Sequence, residues 1–382
     1  MKELELSSSF FEMGRQYGRG CRREIWLFSK AVQLMVALSE RPDADFFDPQ
    51  YRHLPREMTS FFKNRKRYRS QAREFLNSIE AHYPEGLDMM RGMAEGAKVD
   101  FEDLLFLNTA IELTRGCTSF AAVGDATASG RAVLGMNADE AKGVERTEIV
   151  LRVHPDTGYA YTVCAMAGYL PFNFGMNETG LTFMSHLLFL TSVSKASVGA
   201  PMMLYFSILN RCSSVDEAKA LLESLPCCGP GSIVYVADGE RFLRMEANSA
   251  VRDIEVVDEG IRWSAMQPQT AALAPLNAIP GMSEANGLFS KNRTTRLREF
   301  SARFSGRLDA EAVQSILGDH GDPDDETHMR SMCMHPKHAA GKQTCASMVA
   351  LPAEKTCWFF EPNPCHNDSK RFAYGQGDPG TP

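Results

Sequence analysis

Residues 115–140 constrain the fold more than any other part of the sequence. Two runs of apolar, β-branched or aromatic residues flank a polar, glycine-bearing break at residues 124–130, which predicts a β-hairpin. Cys117 opens the first strand, directly after a glycine. Because the second strand returns antiparallel to the first, its last residues, Asn137 and Asp139, should lie beside the cysteine. The hairpin therefore predicts that a thiol, an amide and a carboxylate converge.

A structural interpretation of the same pattern stays open. Free cysteine is commonly a core residue, and polar residues at the end of a strand often bond only to their own turn. On pattern alone, Cys117 is therefore either a buried apolar residue or a nucleophile.

Length, charge and cysteine usage limit the class of protein. The chain has 382 residues, of which 44% are hydrophobic and 23% charged, values typical of a soluble globular protein with a sizeable core. A net charge of −7 argues against a nucleic-acid surface, and residues 63–73, the most basic segment, fit a solvated helix face or loop. We find no signal peptide, no membrane span and no disulfide spacing among the 10 cysteines. These features predict a cytoplasmic protein without a nucleic-acid or membrane partner.

The order of predicted elements indicates an α+β fold. Helical periodicity dominates residues 1–116, and strand patterns follow, interrupted by helix pairs near residues 201–225 and 294–317. A last hairpin covers residues 346–361, and the polar tail from Asn363 onward is predicted to be frayed. Runs of strands between runs of helices favour antiparallel sheets covered by helices.

Motifs along nearly the whole chain resemble one family. They are Phe11-Glu-Met-Gly14-Arg-Gln-Tyr-Gly18, Gly92-Met-Ala-Glu-Gly96, Leu107-Asn-Thr-Ala-Ile-Glu-Leu113, Gly116-Cys117-Thr118-Ser119-Phe120, Gly135-Met-Asn137-Ala-Asp139, Gly175-Met-Asn177-Glu-Thr-Gly180-Leu181, Ser290-Lys-Asn-Arg293 and Thr344-Cys-Ala-Ser347. In this order and spacing they resemble the penicillin acyltransferase-like, or C45 peptidase, family of N-terminal-nucleophile (Ntn) hydrolases.

This resemblance implies a fold, a processing event and a domain division. The fold would be an αββα four-layer sandwich, with two antiparallel sheets between helix layers. Self-cleavage between Gly116 and Cys117 would divide the chain into a helical pro-segment, residues 1–116, and a catalytic domain, residues 117–382. The two parts would remain together as an α/β heterodimer, with further oligomerisation as an open possibility.

The resemblance also implies roles for individual residues. Cys117 would be the nucleophile, Asp139 would orient the freed α-amine, and Asn177 would donate to the oxyanion. The residues expected to bind substrate or to support the site are Arg293, Arg296, Asn137 and Gln267. An ion pair on a helix face is the alternative interpretation of each arginine.

Two positions depart from the family pattern. Ala138 stands where the family often has an aromatic residue, which would widen the pocket. The family's Thr-Asn-His segment corresponds here to residues 264–268, which contain no asparagine, and Gln267 is the available substitute.

The expected activity is cleavage or transfer of the acyl group of a small-molecule or peptide-like amide, through an acyl-thioester on Cys117. An acyl-CoA or an amine acceptor is a further expected partner, and neither a cofactor nor a metal is expected. Two alternatives remain. In the first alternative, the chain is an unprocessed, non-catalytic binding protein of the same fold. In the second, it is a metallohydrolase that uses Cys333, His335 and His338, from a segment that also contains His328 and Cys345.

Overall fold

The structure is a computed structural model with four layers. It describes residues 1–39, 65–67, 69–70, 72–109, 116–141, 144–170, 174–191, 206–227, 229, 231–281, 284–321, 331–335, 342–361, 363–366 and 368–375. In these residues, two sheets pack face to face and each carries helices on its outer side. The αββα sandwich expected from the resemblance is confirmed.

The larger sheet has eight strands among the described residues, in the order β1-β4-β5-β6-β7-β8-β9-β10. Their bounds are β1 Lys2–Ser8, β4 Glu148–Pro155, β5 Tyr161–Met166, β6 Phe174–Asn177, β7 Thr182–Leu187, β8 Ser232–Ala237, β9 Phe242–Ala247 and β10 Arg252–Val257. Its neighbouring strands pair antiparallel, except that β1 pairs parallel with β4. The sheet is therefore mixed at one edge.

The smaller sheet contains the predicted hairpin. In the described chain it has six strands in the order β11-β2-β3-β12-β13-β14, all antiparallel. The bounds are β2 Gly116–Gly124, β3 Gly130–Ala141, β11 Gly260–Ser264, β12 Lys342–Leu351, β13 Thr356–Phe360 and β14 Ser369–Ala373. Strands β2 and β3 pair directly, so the hairpin prediction is confirmed.

Helices cover the two outer faces. Those packed on the larger sheet are α1 Phe10–Gly20, α2 Arg22–Ser39, α3 Leu76–His82, α4 Pro84–Ala97, α5 Phe101–Thr109, α6 Ser207–Arg211 and α7 Val215–Ser224. Those packed on the smaller sheet are α8 Glu284–Phe304 and α9 Ala310–Leu317. Helix α7 begins as its sequence predicts, because the Ser214 hydroxyl accepts a hydrogen bond from the Glu217 amide at 3.2 Å.

Helices α1 and α4 pack at unusually close range through glycines. Gly14 and Gly18 lie on α1, and Gly92 and Gly96 lie on α4, each pair four residues apart on one helix face. A methyl group added at any of these positions would collide with backbone of the other helix. The first two motifs of the resemblance are therefore explained by packing of the N-terminal layer.

Three strands and part of a helix depart from the sequence predictions. Strand β1 lies in a region predicted to be mostly helical. No local pattern indicates this strand, because its parallel partner β4 is far along the chain. Strand β14 orders part of the tail expected to fray, and β11 was not predicted. Helix α8 begins ten residues earlier than the predicted start at Thr294. Residues 42–60, whose aspartate- and proline-containing sequence predicts a loop, lie outside the described residues.

Candidate functional site

Cys117 lies on the inner face of the smaller sheet. Its side chain is 1% exposed and belongs to the apolar layer between the two sheets, together with Ala138 and Met136 of the neighbouring strand. In the hairpin, Cys117 is opposite Ala138 and Gly116 is opposite Asp139. The small side chain of Ala138 therefore lies directly beside the thiol, and both side chains are buried.

Asn137 and Asp139 lie on the same strand but point to the other face. Successive side chains of a strand alternate between faces, so residues on either side of Ala138 face the α8–α9 layer. Their partners confirm this direction, because Asn137 bonds to the end of α9 and Asp139 bonds to α8. The hairpin thus brings the main chain of these three residues together, but it places the thiol on the opposite face of the sheet from the amide and the carboxylate. This corrects the expectation that the three side chains converge on one face.

A buried ion pair occupies the outer face behind Gly116 and Cys117. The Arg293 guanidinium contacts the Asp139 carboxylate at 2.5 Å, and both side chains are 0% exposed. The same Nη1 donates to the Thr118 hydroxyl at 2.5 Å, and the Thr344 hydroxyl donates to the other carboxylate oxygen at 2.6 Å. Buried charges are stable only when they are paired and hydrogen-bonded, and this network meets both conditions.

The rest of the Arg293 guanidinium donates to backbone. Nε bonds to the Ser331 carbonyl at 3.1 Å and Nη2 to the Met332 carbonyl at 3.0 Å. Asn137 supports the same segment, because its amide nitrogen donates to the Leu317 and Met332 carbonyls at 2.9 and 2.8 Å. Direct contact of Arg293 with a substrate carboxylate would require this network to open.

Asn177 holds a turn on the far side of the larger sheet. Its backbone N–H donates to the Leu181 carbonyl at 3.0 Å. Its side-chain amide donates to the Leu209 and Cys212 carbonyls, at 2.9 and 2.8 Å, at the end of α6. Its side-chain oxygen accepts from Thr179 and Leu181. Each N–H of Asn177 is thus already donated to a carbonyl of the protein, in the turn or at the end of α6.

Arg296 and Gln267 also have partners within the protein. Arg296 forms a bidentate pair with Asp319, with distances of 3.1 and 2.6 Å, which ties α8 to the loop after α9. The Gln267 amide donates to the Ser290 carbonyl at 3.3 Å and to the Thr294 hydroxyl at 2.6 Å, both on α8. Met266, just before Gln267, has a positive φ of 69°, which is uncommon for a residue with a side chain.

A serine–histidine pair next to Cys117 was not predicted. Ser119 lies two residues along the strand, on the same face, and its hydroxyl is 2.8 Å from Nε2 of His186 on the larger sheet. His186 Nδ1 lies 2.9 Å from the Leu187 carbonyl, which only accepts, so Nδ1 carries the proton and Ser119 donates to Nε2. Burial lowers the pKa of His186 to about 4, opposed by the bond to Leu187, so the ring is neutral at pH 7. The available sequence signal was a polar residue at an inward-facing position of each apolar strand.

The candidate metal ligands form a different set from the predicted one. Cys333 and His335 lie with His320 and Cys365, and their ligand atoms are all within 4.8 Å of one another. Cys345 bonds instead to the Gln343 carbonyl at 3.5 Å. The predicted His328 and His338 are outside the described residues. Within the described chain, no helix has both the length and the apolarity needed to cross a membrane.

Comparison with known proteins identifies a family match and remote structural similarities. A family model described as acyl-coenzyme A:6-aminopenicillanic acid acyl-transferase matches residues 126–365. Penicillin V acylase from Agrobacterium tumefaciens is similar with a TM-score of 0.42 and 15% identity, over 65% of this chain and 84% of that one. An N-acylethanolamine-hydrolyzing acid amidase ortholog from Caenorhabditis elegans gives 0.43 and 12%, over 62% and 93%.

A mutant conjugated bile acid hydrolase from Clostridium perfringens gives a TM-score of 0.38 and 14% identity, over 68% of this chain and 97% of that one. No curated protein matches the chain significantly.

Proposed function

Because the chain belongs to the acyl-coenzyme A:6-aminopenicillanic acid acyl-transferase family, a family of acyltransferases and amide hydrolases, we propose that it is a self-processing cysteine Ntn hydrolase. Cys117 is the nucleophile of this activity, and the substrate is a small-molecule or peptide-like amide. The observation that carries the proposal is the position of Cys117, which lies near the start of an inner strand of the smaller sheet, faces the layer between the sheets and has a buried ion pair behind it.

Processing would begin as an intramolecular acyl shift. Cys117 Sγ attacks the carbonyl carbon of Gly116, a C–S bond forms, the peptide C–N bond breaks, and the thiol proton goes to the departing α-amine. Water then cleaves the thioester, which leaves a carboxylate on Gly116 and restores the thiol. Glycine suits this position, because it tolerates the backbone geometry that exposes a carbonyl to attack.

The same atoms would then act on substrate. A thiol with a pKa near 8.5 is mostly protonated at neutral pH, whereas a free α-amine has a pKa of about 7.7–8.0 and can accept its proton. The sulfur attacks the acyl carbonyl, the amide C–N bond breaks, and the proton goes to the leaving amine. Water or a second amine then takes the acyl group from the thioester, and acyl-CoA is an alternative acyl donor.

The ion pair behind the strand supports a role for Asp139. Gly116 is opposite Asp139 in the hairpin, so cleavage would create the new α-amine beside this residue. A carboxylate held by Arg293 and Thr344 is fixed in orientation, and it would attract the protonated amine. We assign Asp139 the orientation of the α-amine, and Arg293 the positioning of Asp139.

Four residues enter the proposal with modified roles. Asn177 and Gln267 donate their amide protons within the protein, so we assign them the support of the α6 turn and of α8. Asn137 supports the segment that accepts from Arg293. Arg296 fixes α8 to the loop after α9 through Asp319.

After cleavage, residues 1–116 would stay bound as a separate subunit. Strand β1 pairs with β4 along its whole length, and the apolar faces of α1, α4 and α5 pack on the larger sheet. This contact is extensive and largely apolar, as in the core of a domain. We therefore expect an α/β heterodimer that separates only on denaturation.

Intact mass under denaturing conditions tests the processing step. We expect wild-type protein to give two fragments with the junction between Gly116 and Cys117, and Cys117→Ala to remain one chain. Cys357→Ala is the matched control, because Cys357 is a buried thiol in the same apolar layer, and it should be processed like wild type. A single chain in folded wild-type protein would support the non-catalytic alternative.

A substrate screen tests the activity separately. Processed protein and Cys117→Ala are compared on N-acyl amino acids, acyl-polyamines and amides of β-lactam side chains, with the released amine as the readout. Turnover that requires Cys117 and a free α-amine is expected. Turnover that persists in Cys117→Ala, or after the α-amine has been blocked chemically, would disprove this mechanism.

A further inference from the structure

Two thiols and two imidazoles from three chain segments meet at the edge of the α8–α9 layer. The Cys2His2 cluster comprises His320, Cys333, His335 and Cys365. The first follows α9, the next two lie in the short segment of residues 331–335, and the last lies in a 3-10 turn between β13 and β14. Sequence spacing alone does not group these residues, because the segments are far apart along the chain.

The separations within the cluster are close to those around a tetrahedral zinc ion. Zn–S bonds of about 2.3 Å and Zn–N bonds of about 2.0–2.1 Å place two sulfurs about 3.8 Å apart and a sulfur and a nitrogen about 3.6 Å apart. The two Sγ atoms here are 3.7 Å apart. His335 Nε2 lies 3.7 Å from Cys333 Sγ and 3.5 Å from Cys365 Sγ.

The two imidazoles also direct the same atoms to this point. The Nε2 atoms of His320 and His335 are 2.9 Å apart. At this distance one neutral ring can donate its Nε2–H to the other, or both rings can direct their Nε2 lone pairs to a cation. In zinc coordination the two nitrogens would be about 3.3 Å apart, so only a small adjustment is needed.

Charge balance favours a divalent cation here. Cysteine binds a metal ion through its thiolate, so the two cysteines of the cluster would each contribute one negative charge to a bound ion. A metal ion converts such thiols to thiolates, and two thiolates with two neutral imidazoles neutralise a divalent charge. Softer sulfur ligands combined with imidazole select zinc over magnesium or calcium.

We propose that the Cys2His2 cluster binds one zinc ion. Four protein ligands complete a tetrahedron, which is the arrangement of a structural site rather than of a catalytic one. The site therefore differs from the metallohydrolase alternative, in which an open coordination position would be needed.

Groups around the cluster support it as a metal-binding site. The Asn363 amide lies 3.5 Å from Cys333 Sγ, in position to donate to a thiolate, and it also donates to the Met334 carbonyl at 3.0 Å. Such outer hydrogen bonds orient metal ligands and tune their affinity. A cavity of about 460 Å³, lined in part by His320 and Cys365, lies beside the cluster and gives a metal or a chelator a path to it.

The zinc would stabilise the segment that holds the buried ion pair. Residues 331 and 332 accept hydrogen bonds from Arg293 through their carbonyls, and Met332 and Cys333 donate to the Asp319 carbonyl. Binding of Cys333 and His335 would fix this segment at its other end. Zinc would thus act as a positioning element, without contact with the reacting atoms.

Metal analysis of the purified full-length chain tests this proposal. We expect about one zinc per chain, and a competing chelator should remove it from His320→Ala at a concentration more than about 100-fold lower than from wild type. His320 is exposed, so this variant should fold even if variants of the buried Cys333 do not. Co²⁺ in place of zinc should give the visible absorption of tetrahedral thiolate coordination, which Cys365→Ser should weaken.

Two matched variants serve as controls. His366 is an exposed histidine that stacks on His335 without being part of the cluster, and Cys227 is partly exposed like Cys365. His366→Ala and Cys227→Ser should keep the wild-type zinc content. Absence of stoichiometric metal, equal zinc retention in His320→Ala and His366→Ala, or a Cys333–Cys365 disulfide in the purified protein would each overturn the assignment.

Discussion

Replacement of His186 by glutamine should change how the stability of the protein depends on pH. The amide of glutamine can accept from Ser119 and donate to the Leu187 carbonyl, but it does not titrate. In the native protein His186 is neutral, because burial lowers its pKa to about 4 from an ordinary value of 6.5. An unfolded chain binds this proton near pH 6.5, whereas the folded chain does not bind it until about pH 4.

The sign and size of the effect follow from this difference. Between pH 6.5 and about 4 the unfolded state holds more protons, so stability falls as the pH falls through this range. Each pKa unit corresponds to about 1.4 kcal/mol, so His186 alone should remove about 2–3 kcal/mol between pH 7.5 and pH 4.5. His186→Gln lacks this contribution, while the other titrating groups act equally in both proteins.

Urea unfolding at pH 7.5 and pH 4.5 measures the comparison. The difference in unfolding free energy between wild type and His186→Gln should shift by about 2–3 kcal/mol in favour of the variant at the lower pH. A shift below about 0.5 kcal/mol would refute the assignment of a buried, neutral histidine bonded to Ser119. Ser119→Ala is the control variant, because it removes the hydrogen bond but leaves the titrating ring.

Three further changes test the packing and the networks. Arg293→Met leaves Asp139 buried without its charge partner and should lower the unfolding free energy by about 3–5 kcal/mol. The double variant Arg293→Met/Asp139→Asn should lose less stability than the sum of the two single losses. Strictly additive losses in urea unfolding would contradict a coupled pair. Gly92→Ala forces α1 and α4 apart and should lower the unfolding free energy by about 1–3 kcal/mol. The control Arg91→Ala, at an exposed position of the same helix, should lower it by less than about 0.5 kcal/mol. Equal losses in the two variants would contradict the close approach of the helices. Asn177→Ala leaves two buried carbonyls without donors and should cost at least about 2 kcal/mol in thermal or urea unfolding, so a neutral effect would show that the turn does not depend on it.

Local patterns predicted two hairpins of the smaller sheet. The hairpin of β2 and β3 follows from its turn and its apolar runs, and β12 and β13 pair as the last hairpin that is predicted over residues 346–361. These elements have sequential neighbours, so pairing is determined by nearby residues. Strand β1 could not be found in this way, because a parallel edge strand depends on a partner that is distant in the sequence.

The site could be predicted only where one strand pair defines it. The hairpin register brings Gly116 beside Asp139, and sequence alone supports that step. By contrast, the Ser119–His186 contact spans 67 residues and crosses between sheets, so no local period reveals it. No local pattern reveals the Cys2His2 cluster either, because Cys365 lies in a tail whose polar sequence predicts fraying.

Side chains alternate between the two faces of β2, so one strand can carry the thiol on one face and contact the buried ion pair on the other. Cys117 faces the interior between the sheets, while Thr118 faces the outer network and bonds to Arg293. The main chain between these two residues joins the proposed nucleophile to the charge network, and an α-amine is a main-chain group. If the bond after Gly116 is cut, the base therefore arises at the edge of the strand, between the two faces. There it would lie between the sulfur on one face and Asp139 on the other, whereas a side-chain base would lie on one face only.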